Sequence, residues 1–334
     1  MATPPKIVQL AFCTSNMPRS VAFYSSVFGF ADAGGRVFSG PWLARIQDVG
    51  DDAATTLWWL VGRQDMVQLE LFAHTEPTQR PLPADWTAAD LGWTRWGLTV
   101  PDFDAVLEKL ARHGVPTLTE PVEHDGLRRV CFRDPYVGVV VEVLEEGSAT
   151  PGGIRPRFYD LAPAVVYAAA TVPDLEAARR SLVDVAGLFE EPAGTLHAPE
   201  HEALWGLGGA RAERFVARGG DVYLEVTEYA EPRSRPADPD RRLSDQGFMN
   251  VALGGRERAE AEALLERMRA AGAHVHAELM PGKVGGTYLT DPNGIGLEIL
   301  ANTRDWDPSF GFTPVPQFLS SPGWPQASVP PASS

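Results

Sequence analysis

Glutamate recurs inside four apolar, strand-like runs. They are Glu70 in Gln68-Leu69-Glu70-Leu71-Phe72, Glu142 in Val139-Val140-Val141-Glu142-Val143-Leu144, Glu225 in Tyr223-Leu224-Glu225-Val226-Thr227, and Glu298 after Gly294-Ile295-Gly296-Leu297. A carboxylate in such a run is costly to bury unless something pairs with it. Taken singly, each reads as an outward, solvated residue. Recurrence at equivalent positions turns that reading inward, so a neutralising partner is expected. His74 follows Glu70 at even spacing, which on a strand gives both the same face and makes it the best histidine for proton transfer. His274 and His276 are likewise two apart and suit a ligand or general base, or simply a solvated strand face; His124, in Glu123-His124-Asp125-Gly126, reads as a turn residue.

The elements that carry these residues form a repeat. Glu76-Pro77-Thr78-Gln79-Arg80-Pro81 and Glu231-Pro232-Arg233-Ser234-Arg235-Pro236 are both EPxxRP, and 231 − 76 equals 225 − 70, an offset of 155. Phe132-Arg133-Asp134-Pro135 answers Leu289-Thr290-Asp291-Pro292, with one extra residue before the glutamate in the first copy. A strand, an amphipathic helix and further strands occur four times, with helix starts at Asn16, Asp102 and Asp174 as good N-caps and a less regular one at Gly254-Gly255-Arg256. The expectation is an α+β chain of four βαβββ modules, in halves 1–150 and 158–304 joined by the turn-rich Gly147–Gly153 segment. The two EPxxRP loops read as lids or crossover linkers. A tail, 305–334, spaces Trp306, Phe310, Phe312 and Trp324 among prolines; its aromatics are expected to pin it to a domain or partner, and its Ser/Pro end reads as disordered.

A chain of 334 residues is long enough for two cores. The net charge of −15, with no basic stripe, argues against nucleic acid and anionic lipid as partners, and no apolar run is long enough to span a bilayer. Two cysteines, Cys13 and Cys131, sit in apolar runs and do not suggest a disulfide framework. With no signal-like start, a cytoplasmic protein is expected. Six of the nine tryptophans, Trp42, Trp58, Trp59, Trp86, Trp93 and Trp96, lie in the first half, as packing or as the lining of a pocket for a flat apolar ligand.

The run from Asn16 through Phe23-Tyr24 to Phe28-Gly29-Phe30, and the closing Asp291-Pro292-Asn293-Gly294 to Glu298, resemble the opening and closing of modules in the vicinal oxygen chelate superfamily of glyoxalases, bleomycin-resistance proteins and extradiol dioxygenases. The resemblance spans about residues 6–304. It implies paired modules forming two open barrels, each able to hold a divalent metal on first and last strands. Carried over, the first-strand positions are Gln9, Arg95, Tyr167 and Asn250, and the last-strand positions are the four glutamates. None of the first-strand positions is histidine, which disfavours a ring-cleaving, iron-dependent oxygenase. Pairing within halves would group Gln9, Glu70, Arg95 and Glu142. Pairing of outer modules, the favoured reading, groups Gln9, Glu70, Asn250 and Glu298 as an all-oxygen site for Mg²⁺, Mn²⁺ or, less ideally, Zn²⁺. It leaves Arg95, Glu142, Tyr167 and Glu225 without a metal.

By resemblance the chemistry would be an isomerase or lyase reaction, stabilising an enolate or vicinal oxygen pair on a metal while Glu70 or Glu298 moves a proton, with His74 near the rim. Arg95, Tyr167, Trp58 and Trp96 would contact a small, partly apolar organic ligand. The alternatives are no metal at all, in a binding or drug-sequestering protein with Arg95 holding an anionic or phenolic ligand, or a second half that is only a structural partner. Monomer and homodimer both fit.

Overall fold

A computed structural model describes residues 4–147, 156–158, 160–236, 238–282 and 284–315. Most of the Gly147–Gly153 joint and the Ser/Pro end of the tail, with Trp324, lie outside the described residues.

The first module comprises β1 (Lys6–Cys13), α1 (Met17–Phe28), β2 (Ala31–Ser39), α2 (Pro41–Gln47), β3 (Ala54–Val61) and β4 (Gln68–Glu76). The second comprises β5 (Gly92–Val100), α3 (Phe103–Arg112), β6 (Val122–His124), β7 (Leu127–Arg133) and β8 (Val140–Glu145). The third has β9 (Ala164–Thr171), α4 (Leu175–Arg179) running into a π-helical turn Arg180–Val185, β10 (Phe189–Glu191), a 3₁₀ segment Pro199–Trp205, β11 (Arg211–Gly219) and β12 (Val222–Glu231). The fourth has β13 (Gly247–Gly255), α5 (Arg258–Ala270), β14 (His274–Val275), β15 (Val284–Thr290) and β16 (Gly296–Asn302).

Asn16, Asp102 and Asp174 cap their helices as expected, each side chain accepting the backbone N–H three residues on. The fourth helix starts later than the sequence suggested, at Arg258 after Glu257, because Gly254 and Gly255 belong to β13. A Cβ on Gly254 would lie 1.8 Å from the Leu300 carbonyl oxygen, so glycine is there to let β16 approach.

The modules pair outer with outer and inner with inner. One eight-stranded sheet runs β14-β15-β16-β13-β1-β4-β3-β2 and the other β10-β11-β12-β9-β5-β8-β7-β6. Within every module the first and last strands are parallel neighbours, and first strands of paired modules meet antiparallel, β1 on β13 and β5 on β9. Each sheet is an open barrel and draws one module from each half of the repeat. The main core lies between the sheets and under the helices, where Phe12, Tyr24 and Trp96 interlock.

The EPxxRP loops clasp one another. Arg80 binds Asp245 at the end of the second loop, with Nε at 2.9 Å, and Arg235 binds Asp90 at the end of the first, with Nε at 2.7 Å. Both pairs keep the 155-residue offset, since 235 − 80 and 245 − 90 are each 155. Their guanidinium clamps link the modules rather than cover a cavity. Among the described residues, no helix is long and apolar enough to cross a membrane.

Candidate functional site

In the outer sheet β1 carries Gln9, β4 carries Glu70 and β16 carries Glu298, and all three line one cavity. Register explains the convergence: Ala252 of β13 lies opposite Gln9 on one side and beside Glu298 on the other, while Gln9 pairs with Gln68, two residues before Glu70. One end of the Gln9 amide reaches both carboxylates. With nitrogen there, it donates to Glu70 Oε2 and, at 3.3 Å, to Glu298 Oε2. Glu70 Oε1 also accepts the Trp59 indole N–H at 2.9 Å.

Burial pushes Glu70 up to about 8, against the lowering effect of hydrogen bonds from Trp59 and Gln9. Burial and the charge of Glu70 push Glu298 well above the usual carboxylate range. The pair therefore holds a proton where two exposed glutamates would hold none. Asn250 is buried on β13 opposite Ala11. Both of its amide atoms are without a partner, and it does not itself line the cavity. Among the described residues no three His, Cys, Asp or Glu side chains gather as a metal group; the outer set is two carboxylates completed by amides.

The cavity walls are aromatic and aliphatic: Phe38, Trp42, Trp59, Phe72, Tyr288 and Phe310 face it with Leu43, Ile46, Leu57 and Leu300. Among the described residues, no lysine or arginine lines it. Trp42, 39% exposed, stands on α2 with Phe38 5.8 Å away. His74 is buried outside the cavity, where its Nε2 meets Gln47 Oε1 at 2.7 Å and its ring stacks on Phe72. Burial lowers it to about 4, leaving it neutral, and it meets the site through the lining residues Gln47 and Phe72.

The inner barrel gathers Arg95, Glu142, Tyr167 and Glu225, but it is filled. His197 lies between the carboxylates, with Nε2 2.8 Å from Glu142 Oε2 and Nδ1 2.8 Å from Glu225 Oε2. Tyr167 donates to Glu142 at 2.6 Å, Arg95 pairs with Glu225, and Arg129 and Arg214 approach the same carboxylates at 3.4 and 3.7 Å. Trp205 from the 3₁₀ segment closes the space over the Arg95 guanidinium at 4.0 Å. Burial alone would raise Glu142, but His197 and Arg129 bring it down to about 2; His197 and Arg95 overcome burial at Glu225 as well. The two carboxylates in turn raise His197 against its own burial. An imidazolium thus occupies the middle of the inner carboxylate pair.

The four residues nominated for ligand contact do not share one pocket. Arg95 and Tyr167 are locked in the inner cluster, and Trp96 is core, packed on Phe12 and Tyr24. Trp58 points to the other face of β3 from Trp59 and donates to Asp32 at 2.9 Å. His276 is bound by Ile46 and Thr290, and His124 packs edge-on to His201. Sequence reasoning missed His197, Gln68 and Tyr288, and it named Trp58 for ligand contact where Trp59, given only among the six first-half tryptophans, lines the cavity. His197 sits in a loop with no histidine in the other repeat. A signal was available nonetheless: Pro41 and Pro199 share the 158-residue offset of Asn16 and Asp174, and each opens a short helix over its barrel.

Two open barrels from four βαβββ modules, with glutamates on every last strand, define a class. A model of the Glyoxalase/Bleomycin resistance protein/Dioxygenase superfamily matches residues 6–143 and again 164–299, and the chain belongs to that superfamily. Among solved structures, a chain from Bacillus subtilis subsp. subtilis str. 168, provisionally described as a dioxygenase, is similar at TM-score 0.62 and 14% identity, over 99% of this chain and 98% of that one. Glyoxalase I from Zea mays is similar at TM-score 0.57 and 15% identity, over 89% and 92%. These likenesses concern the fold. A comparison with curated proteins gave no match.

Proposed function

We propose that the chain is a glyoxalase-like isomerase or lyase whose active site is the outer cavity and whose substrate is a small, uncharged, largely aromatic molecule. The observation that carries this reading is the buried Glu70–Glu298 pair, joined through Gln9 in an aromatic cavity. Glu70, at about 8, titrates where a general acid or base is most effective near neutral pH. Glu70 takes a proton from a carbon next to a substrate oxygen, and Glu298, which burial and the Glu70 charge keep protonated, gives its own proton to the substrate, the pair then passing the first proton from Glu70 to Glu298. The Tyr288 hydroxyl, kept protonated by burial and by both glutamates, can donate to a substrate oxygen.

The outer residues fit a hard divalent cation. Gln9, Glu70 and Glu298 offer oxygen atoms to the cavity, while the unpartnered amide of Asn250 stands on the neighbouring strand β13, outside the lining. Bound there, such an ion would polarise a substrate oxygen as a Lewis acid. Mg²⁺ or Mn²⁺ suits this donor set better than Zn²⁺.

In the metal-free protein, two carboxylates with no lysine or arginine among the described lining residues disfavour an anionic substrate, while the aromatic faces favour a flat one. Tryptophan fluorescence titrations with a neutral aromatic carbonyl compound and its carboxylated analogue test this selectivity, and the neutral compound is expected to bind more tightly. Tighter binding of the carboxylate would overturn the assignment. The aromatic walls also suit a second reading, metal-free ligand sequestration, which predicts stoichiometric binding without turnover.

A further inference from the structure

The chain beyond the second repeat completes the outer site. After β16, a 3₁₀ turn Arg304–Ser309 places Asp307 in a fully buried position. There it accepts from Arg157 at 2.6 Å, from Asn302 at 2.7 Å and from Arg256. So anchored, Phe310-Gly311-Phe312 lies along the cavity. Phe310 and Phe312 line it, and Gly311 is pressed so closely on Trp59 that a Cβ would lie 2.2 Å from the ring. Gly311 also has φ +71, a conformation that suits glycine.

The carbonyls of this strap face Gln68. Its amide satisfies both ends in one orientation, with nitrogen donating to Phe310 O at 3.2 Å and Gly311 O at 2.6 Å. The reverse sets its carbonyl oxygen against two other carbonyl oxygens. With the nitrogen committed to the strap, the Gln68 oxygen faces the Gln9 amide at 3.1 Å, and only a donor can sit there. An amide has one donor end and one acceptor end, so Gln9 gives its N–H₂ to Gln68 and turns its carbonyl oxygen to Glu70 and Glu298. Three oxygen atoms, from Gln9, Glu70 and Glu298, then converge, and the Trp59 N–H is bound to the other oxygen of Glu70, an arrangement that calls for a cation or a shared proton.

We propose that Gln68 is the positioning residue of the outer site: tied to the carbonyls of the C-terminal strap, it orients Gln9 as an oxygen ligand for a divalent cation. This rests on the reading of the outer cavity as a metal site. Outer partners of ligating groups are typically worth about 10–100-fold in metal affinity, which sets the expected size of the effect.

Mn²⁺ affinity is measured by electron paramagnetic resonance for wild type, Gln68→Met, Gln9→Glu and the double variant. Gln68→Met is expected to weaken Mn²⁺ about tenfold or more when Gln9 is intact. In the Gln9→Glu background it is expected to have little effect, because the two oxygens of a carboxylate are equivalent and need no orienting partner. Equal losses in both backgrounds would mean a merely structural role and overturn the proposal. A metal-free readout separates this from the metal reading. In wild-type protein, nuclear Overhauser contacts from the Gln9 amide protons are expected to Gln68 and not to the Trp59 indole N–H. Contacts to Trp59 overturn the orientation. Wild type that binds no Mn²⁺ overturns the cation part of the proposal, and the metal site with it, whichever contacts are seen.

Discussion

Gln9 and Glu298, 289 positions apart in the chain, meet in one cavity with their side chains 3.3 Å apart. Only the pairing of first and fourth modules brings them together, because β1 and β13 are the central antiparallel strands of their sheet. The same pairing rule builds the inner barrel from modules two and three, and the two barrels solve one electrostatic problem differently. Each buries a pair of last-strand glutamates. The inner pair receives His197 and arginines, whereas among the described residues no cation pairs with the outer glutamates, which remain high in pKa.

That difference sets the pH dependence of the metal-free protein. Glu70 rises from an ordinary 4.5 to about 8, so the folded state holds a proton that the unfolded state releases. Stability contributed by this site is full below pH 4.5 and falls as pH rises towards 8. Urea midpoints for metal-free protein should decline across this window, and saturating Mn²⁺ should flatten the decline.

The inner network should behave in the opposite sense at its acidic edge. Glu142 falls from 4.5 to about 2, so its contribution is present above 4.5 and is lost as pH drops towards 2. His197, raised above 6.5, contributes fully below that value and less as pH climbs through its folded pKa. His197→Gln removes the central cation from two buried carboxylates and should cost roughly 3–5 kcal/mol in chemical unfolding. A loss of only a few tenths would show that the arginines alone neutralise the pair.

Glu70→Gln keeps the shape of the outer site but removes a group that can exchange a proton. Turnover should fall by about 10²–10⁴-fold, while binding of a neutral aromatic ligand, followed by tryptophan fluorescence, should change little. Unchanged turnover would remove Glu70 from proton transfer.

Trp42→Ala trims the cavity wall without touching Gln9, Glu70 or Glu298. It should raise KM more than it lowers kcat, the signature of lost substrate contact in ground and transition states alike. A kcat loss with KM intact would place Trp42 in catalytic closure of the site.

The module plan, the three Asx caps and the inward glutamates were legible because each is a local pattern repeated at a fixed offset. Alternation placed Glu70 inside its strand, and the shared residue spacing placed its three counterparts. The same alternation puts Gln68 on the face of Glu70, a signal obscured because a glutamine two residues upstream looks like any polar strand residue. His197 was missed for a different reason: beyond the shared offset of Pro41 and Pro199, its position depends on a 3₁₀ segment that fills one barrel and on Trp205, which has Gln47 at the corresponding place beside the other. Arg95 looked like a ligand holder because sequence does not show that Glu225 already neutralises it. The strap at 304–315 was legible as aromatic and anchored, but its contact with Gln68 depends on the buried Asp307.

The most direct test of the outer site is elemental analysis after divalent-metal loading and desalting, comparing wild type with Glu298→Ala. About one Mn²⁺ or Mg²⁺ per chain in wild type, lost in the variant while the fold persists, is the expected result. No retained metal in either protein, or equal retention in both, would contradict a metal site built on Gln9, Glu70 and Glu298.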